Sequence, residues 1–247
     1  DKNMSSGFVA GTLVHTDKGL VPIQNLKVGD LVWTKDLNNN HIEKQKILNT
    51  FEYPETPILY IRYTMTTGND MGKDGFIFCT KEQKFWTEEF EYAESLQTRK
   101  IGWVKSIFLE GCSLHALKTI KNEMLAVTMF EFNFENFLLP SADDKMAWLN
   151  NTEEMIGLVD FIGNDFCLVK EFDENIGIEN LLLFQKVVNF RLADTFTALQ
   201  FFNADIKSTS QIYETCVFNL SIEKNQNYFV GNLGILVGDS TIQGNNE

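Results

Sequence analysis

Enzymatic chemistry calls for a nucleophile with a base to activate it, a group that titrates near neutral pH, or clustered metal ligands. The sequence is poor in all three. Its three histidines, His15, His41 and His115, are scattered along the chain. Its four cysteines, Cys79, Cys112, Cys167 and Cys216, form no CxxC pair, and their spacings fit neither a zinc knuckle nor a small disulfide scaffold. Cys79 in GFIFCT and Cys216 in TCVFNL lie in strand-like runs and read as buried thiols. Gly11 and Gly19 open no phosphate loop, because no Gly-Lys-Ser/Thr follows. Glu88 and Glu89 could lie near Asp30, but chain position alone sets no glycosidase-type carboxylate spacing. No cofactor and no metal are expected.

The composition excludes further classes. The 247 residues carry 44% hydrophobic side chains and 21 Phe, enough for a real core and contrary to general disorder. No apolar run is long enough for a membrane-spanning helix, so no membrane partner is expected. No signal-peptide pattern opens the sequence; export as part of a larger bacterial protein would be directed from outside it, and localisation is left open. Against 34 Asp plus Glu stand 21 Lys plus Arg, a formal charge of -13. Between Glu123 and Glu179 there are 13 acidic residues and two basic ones, Lys145 and Lys170, a local balance of -11. A surface of that sign repels phosphate backbones, so nucleic acid is not an expected partner. The aromatics at 76, 78, 85, 86 and 90 come without the Lys and Arg of a base-stacking platform and read as core.

Strand-like runs joined by turns fill the first hundred residues. FVAGTLVHT leads into Asp17-Lys18-Gly19, whose glycine suits a positive φ, and LVPIQNL and LVWT follow. A polar segment, NNNHIEKQK, separates these from ILYIRYTMTTG, FIFCT and KFWT. The middle is mixed: ALKTIKNEMLAVTMFEF could begin helical, and IENLLLFQKVVNFRLADTFTALQFF is too apolar for a solvated helix. The final stretch is again strand-like, with Val217, Asn219 and Ser221 alternating against Phe218, Leu220 and Ile222, and a turn at 224–226. Neither end has enough strands for a closed sheet, so the two should pair. This predicts a discontinuous β domain of residues 1–108 and 212–247, with an acidic unit inserted at 109–211.

The two ends resemble the Hint fold of self-splicing inteins, hedgehog autoprocessing domains and the Hint modules of bacterial polymorphic toxins, the last most of all. The opening resemblance runs through Gly7-Phe8-Val9-Ala10-Gly11-Thr12-Leu13-Val14, Lys18 to Ile23, and Leu26-Lys27-Val28-Gly29-Asp30-Leu31-Val32. Thr80-Lys81-Glu82-Gln83 with Phe85-Trp86 stands where the family has Thr-x-x-His and an aromatic, and Gly102-Trp103-Val104 is similar to its Gly-Trp-Val. The closing blocks are Val217 to Glu223, Asn227 to Gly231 and Gly234 to Ser240. The resemblance implies a horseshoe-shaped, mostly β fold with an α/β or mostly helical insertion.

It also implies self-directed acyl transfer, whose reacting groups this sequence lacks. The family's nucleophilic Cys is here Gly7, its block histidine is Gln83, a further histidine is Gln226, and the terminal His-Asn pair is Gly238-Asp239. Thr80 and Ser240 remain compatible with chemistry. Ser5 and Ser6 are one or two residues out of place and have no base, and His15, beside a turn, reads as solvent-facing. The expectation is a degenerate Hint-type domain that has lost splicing and N-terminal autocleavage. It would be retained as a structural or interaction module in a larger polypeptide, with its own flanking segments as partners.

Three other readings stay open. Residual cleavage could occur around Gly238-Asp239-Ser240, and the acidic insert could bind a protein. Ile156 to Gly163 resembles the LAGLIDADG motif of homing endonucleases, whose helices carry a metal-binding carboxylate just before the last glycine. Ile162 occupies that place and Asp160 lies two residues earlier, so nuclease activity is not expected.

Overall fold

The computed structural model of the chain describes residues 5–88, 102–109, 116–127, 139–140, 146–151, 154–160, 167–171 and 214–242. Short strands and glycine turns alternate from the start. Strands β1 (Phe8–Val9), β2 (Leu13–Thr16) and β3 (Gly19–Pro22) precede a 3-10 turn at Ile23–Asn25 and then β4 (Leu31–Lys35). Gly19 closes the β2–β3 hairpin with a φ of 99°, a conformation that costs a glycine little.

The polar segment expected to separate the early strands instead enters a strand of 16 residues, β5 (Ile42–Pro57). Alternation is the reason: Gln45 and Ile47 are buried while Lys44 and Lys46 face water. Next come β6 (Leu59–Met65), β7 (Asp74–Cys79), β8 (Lys84–Glu88) and β9 (Gly102–Lys105), then a 3-10 turn at Ser106–Phe108.

The possible helix of the middle region is corrected over its described residues. Ala116–Lys118 is β10 and Met124–Val127 is β11, joined by a turn in which Asn122 has a φ of 62°. Leu125, Ala126 and Val127 are all buried, the pattern of a strand covered on both faces. Although both strands lie inside 109–211, β11 pairs with β6 and β10 pairs with β8, so they belong to the large sheet. Strands β12 (Leu139–Pro140), β13 (Met146–Asn151), β14 (Glu154–Asp160) and β15 (Cys167–Glu171) form a separate four-stranded antiparallel sheet. The nuclease-like segment is therefore extended up to Asp160, paired on both edges, where the motif would require a helix. Residues 172–211, with the long apolar run, lie outside the described residues.

The chain closes with β16 (Glu214–Ile222), β17 (Asn227–Val230) and β18 (Ile235–Gly238). The large sheet runs β10-β11-β6-β7-β1-β16-β5-β4-β2-β17-β18-β8-β9, with β3 on β2. Because β10 also pairs with β8, the path curls back on itself. Strand β1 is only two residues long, yet it lies between β7 and β16, with Phe8 opposite both Cys79 and Phe218. The expected pairing of the two ends is thus observed. The core inside the curl includes Phe8, Val14, Val32, Ile47, Leu220 and Val237, with Phe85 and Tyr228 set edge-to-face against Phe8.

Candidate functional site

The Ser6–Gly7 peptide is held from both sides. Thr80, at the end of β7, is buried because β1 inserts beside that strand. Its Oγ1 accepts the Gly7 N–H at 3.1 Å, and its own N–H donates to the Gly7 carbonyl at 2.9 Å. On the other side, Asn219 of β16 directs Nδ2 at the Ser6 carbonyl (3.0 Å), Ser6 Oγ (2.9 Å) and Gln83 Oε1 (3.3 Å). Asn219 Oδ1 accepts the Tyr228 hydroxyl and the Leu220 N–H, both at 2.8 Å. Burial, and next the nearby charge of Asp239, push the Tyr228 phenol well above its usual range, so it acts as a neutral donor.

Gln83 links this peptide to the one at Gly238. Its Nε2 donates to the Gly238 carbonyl at 2.9 Å and to the Lys84 carbonyl at 3.1 Å. Two side-chain amides, Asn219 and Gln83, therefore join Ser6 to Gly238 by four hydrogen bonds. An amide can both donate and accept, which suits a bridge between peptides, but neither titrates near neutral pH.

Residue 7, expected from the sequence to stand where a nucleophile would, is closed off by backbone. A Cβ on Gly7 would lie 2.7 Å from the Phe218 carbonyl oxygen and 3.2 Å from its carbon. Neither of the two thiols among the described residues compensates: burial raises the Cys79 pKa far above the ordinary value, and the Cys216 thiol is pushed up to about 11 by burial and by Glu52, to which it donates. Ser6 Oγ accepts from Asn219 and has no imidazole or carboxylate partner among the described residues.

The segment around Asp239 is equally constrained. Asp239 is buried, with Oδ2 accepting the Ile222 N–H at 2.8 Å and Oδ1 accepting the Thr241 N–H at 2.8 Å and hydroxyl at 2.6 Å. Imide formation needs the Ser240 nitrogen to reach the Asp239 carboxyl carbon, but that N–H donates to the Leu220 carbonyl at 2.9 Å. Attack by either carboxylate oxygen on the Asp239 carbonyl competes with the donor bonds that oxygen accepts. Ser240 Oγ is buried and has no hydrogen-bond partner among the described residues. The chain beyond is anchored by Lys84, whose Nζ donates to the Ile242 carbonyl and whose pKa is lowered, first by burial and then by Lys105.

Gly7, Thr80, Gln83, Gly238, Asp239 and Ser240 thus meet in one region. Gln226 joins it only through its carbonyl, which accepts the Asp239 N–H at 2.8 Å, and its side chain is exposed. His15 is half-buried, not solvent-facing as expected: β2 carries it beneath the β17–β18 turn, where its Nε2 pairs with the Gly231 carbonyl at 2.8 Å. Burial lowers its pKa despite that bond. His41 sits in an exposed turn, and His115 lies outside the described residues. Asp160 ends β14 opposite Met146 and Cys167. Among the described residues no three His, Cys, Asp or Glu could hold a metal ion.

Asn219 is the site residue that sequence reading passed over. Its signal was present: an amide at an inward position between apolar neighbours must find partners once buried.

No protein-family model matches the chain, and no curated protein matches it. Among solved structures it is similar to a bacterial intein-like domain from Clostridium thermocellum, at 17% identity and a TM-score of 0.49 over 96% of this chain and 99% of that one. It is also similar to a DnaB intein from Synechocystis sp. PCC 6803, at 12% identity and a TM-score of 0.44 over 96% of this chain and 99% of that one. The gp41-1 intein is similar at 14% identity and a TM-score of 0.42, over 94% of this chain and 98% of that one.

Proposed function

We propose that this chain is a degenerate Hint-type domain that neither splices nor cleaves itself, and that serves as a structural or interaction module within a larger polypeptide. The reading rests on one observation above all. The two junction peptides are brought together but joined by amides, with the position for a nucleophile filled by the Phe218 carbonyl. An acyl shift from nitrogen to sulfur or oxygen needs a side chain at residue 7 and a group to protonate the departing nitrogen. Glycine and glutamine supply neither. The segments flanking residues 5 and 242 are the natural partners of such a module, and the acidic stretch between Glu123 and Glu179 is a further candidate surface for a protein. Descent from the toxin-type branch belongs to the same proposal.

Intact-mass measurement of the full chain with extended flanks tests it. An unchanged mass over several days, with and without added thiol, is the expected result. Fragments breaking at Ser6–Gly7, Gly238–Asp239 or Asp239–Ser240 would overturn it, and breaks at either of the last two would restore the reading of residual C-terminal cleavage.

A further inference from the structure

The chain turns back on itself after β18. The Asp239 carboxylate accepts both the Thr241 N–H and its hydroxyl through one oxygen, Oδ1, an arrangement that closes a tight turn. The turn leaves Thr241 exposed and returns Ile242, half-buried, over Gly238. A Cβ built on Gly238 would lie 3.1 Å from Ile242 Cδ1 and 3.5 Å from both Lys84 Cβ and Trp103 Cζ3. Ile242, the Lys84 stem and the Trp103 ring thus converge on one point above the glycine.

The sheet builds this socket, and the returning segment fills it. Val237 opposite Phe85 sets Gly238 beside Lys84, and the β8–β9 register pairs Lys84 with Lys105 and Trp86 with Trp103. Trp86 meets Trp103 edge-to-face, with ring centres 5.2 Å apart, which fixes the Trp103 ring. Glu82 holds Lys105 at 2.8 Å, whereas the Lys84 ammonium donates to the Ile242 carbonyl. Gly238 is ordinary strand backbone outside the left-handed region, so its conformation does not call for a glycine. What the glycine supplies is room: one added methyl group would already crowd Ile242.

We infer that the surface of β18, β8 and β9 around Gly238 is a docking site for the chain's own C-terminal continuation, with the Ile242 side chain as its anchor and Lys84 as its latch. Polypeptide past residue 242 accordingly leaves the domain from a fixed point and not from a flexible tether. A hydrogen bond to the main chain supplies hold and a side-chain pocket supplies selectivity, as for extended peptides seated on other sheets. The inference rests on the reading of the chain as a module within a larger polypeptide, and names where its C-terminal flank is held.

Backbone amide relaxation of the full chain with extended flanks, measured by NMR, tests it, and intact mass on the same sample reports separately on the functional reading. Ile242 should show an order parameter of ~0.85, the value of rigid backbone, and a value below ~0.6 would overturn the inference. Ile242→Ser removes the anchor but keeps the Asp239 turn. It should bring residue 242 below ~0.6 while Val237 stays rigid. Gly238→Leu fills the socket and should free Ile242 in the same way; if that variant does not fold, Ile242→Ser alone decides. Unchanged rigidity at residue 242 in Ile242→Ser would show that the turn by itself holds the segment, and would overturn the docking site.

Discussion

A side chain on Gly7 would bring its Cβ to 2.7 Å from the Phe218 carbonyl oxygen, closer than the two atoms can pack. Both groups belong to backbone held in the β1–β16 ladder, so neither can rotate aside as a flexible side chain would. The glycine therefore does more than lack a thiol. It lets β1 approach β16 closely enough for Asn219, the next residue on that strand, to hold the Ser6 carbonyl.

Gly7→Ala should accordingly destabilise the chain by about 1–3 kcal/mol, the usual cost of forcing extra volume into a packed site. Urea unfolding measures it. Gly7→Cys combined with Gln83→His should lose at least as much stability and still yield no Ser6 hydrazide on treatment with hydrazine. Hydrazide detected by mass spectrometry would show that the slot opens more easily than the geometry implies.

Asn219→Ala removes the centre of the bridge between Ser6 and Gly238. It leaves the buried Tyr228 hydroxyl and the Gln83 amide oxygen short of a partner, at a cost of about 1–3 kcal/mol for each group stranded. Tyr228→Phe deletes one of those bonds without leaving its own polar atom behind and should cost less, about 1 kcal/mol. Equal losses in the two variants, compared by urea unfolding, would contradict the bridging role.

His15 predicts the direction of one pH effect. Its folded pKa lies below the ordinary 6.5, so the unfolded chain binds the proton first. Its contribution to stability is complete above pH 6.5 and is lost as the pH falls through the folded value. Thermal midpoints measured from pH 8 down to pH 5 should decline below 6.5. His15→Gln should flatten that part of the profile, and an unchanged slope would rule the group out.

Glu88→Gln should be among the more damaging polar substitutions. It leaves Lys35 and Lys118 without their shared carboxylate, at a cost of about 3 kcal/mol, the low end for breaking a buried pair because Glu88 keeps some access to water. Lys35→Met with Glu88→Leu should recover part of that loss by replacing the charges with apolar volume. Calorimetry of the three proteins decides it.

Much of the strand order was readable because alternation and turn chemistry act locally. Gly19 and the 224–226 turn are placed as expected, and Gln226 adopts a φ of 54°. The entry into β5 was missed because its exposed face is lysine-rich and masks the buried Gln45 and Ile47. Strands β10 and β11 were missed because a short run buried on both faces looks like part of an apolar helix. His15 was misplaced because its neighbours in sequence are a polar turn, whereas its neighbour in space is Gly231.

By itself, the order of residues determined that position 7 carries no side chain and position 83 no titrating group. No fold can give Gly7 a nucleophile or make Gln83 titrate, since those limits are covalent. Tertiary structure decided what the remaining polar atoms do. Hydrogen bonds depend on direction and on tenths of an ångström, and the strands that bring Ser6, Gln83, Asn219 and Gly238 together lie far apart along the chain. Only their packing could join two distant peptides into one bridged site.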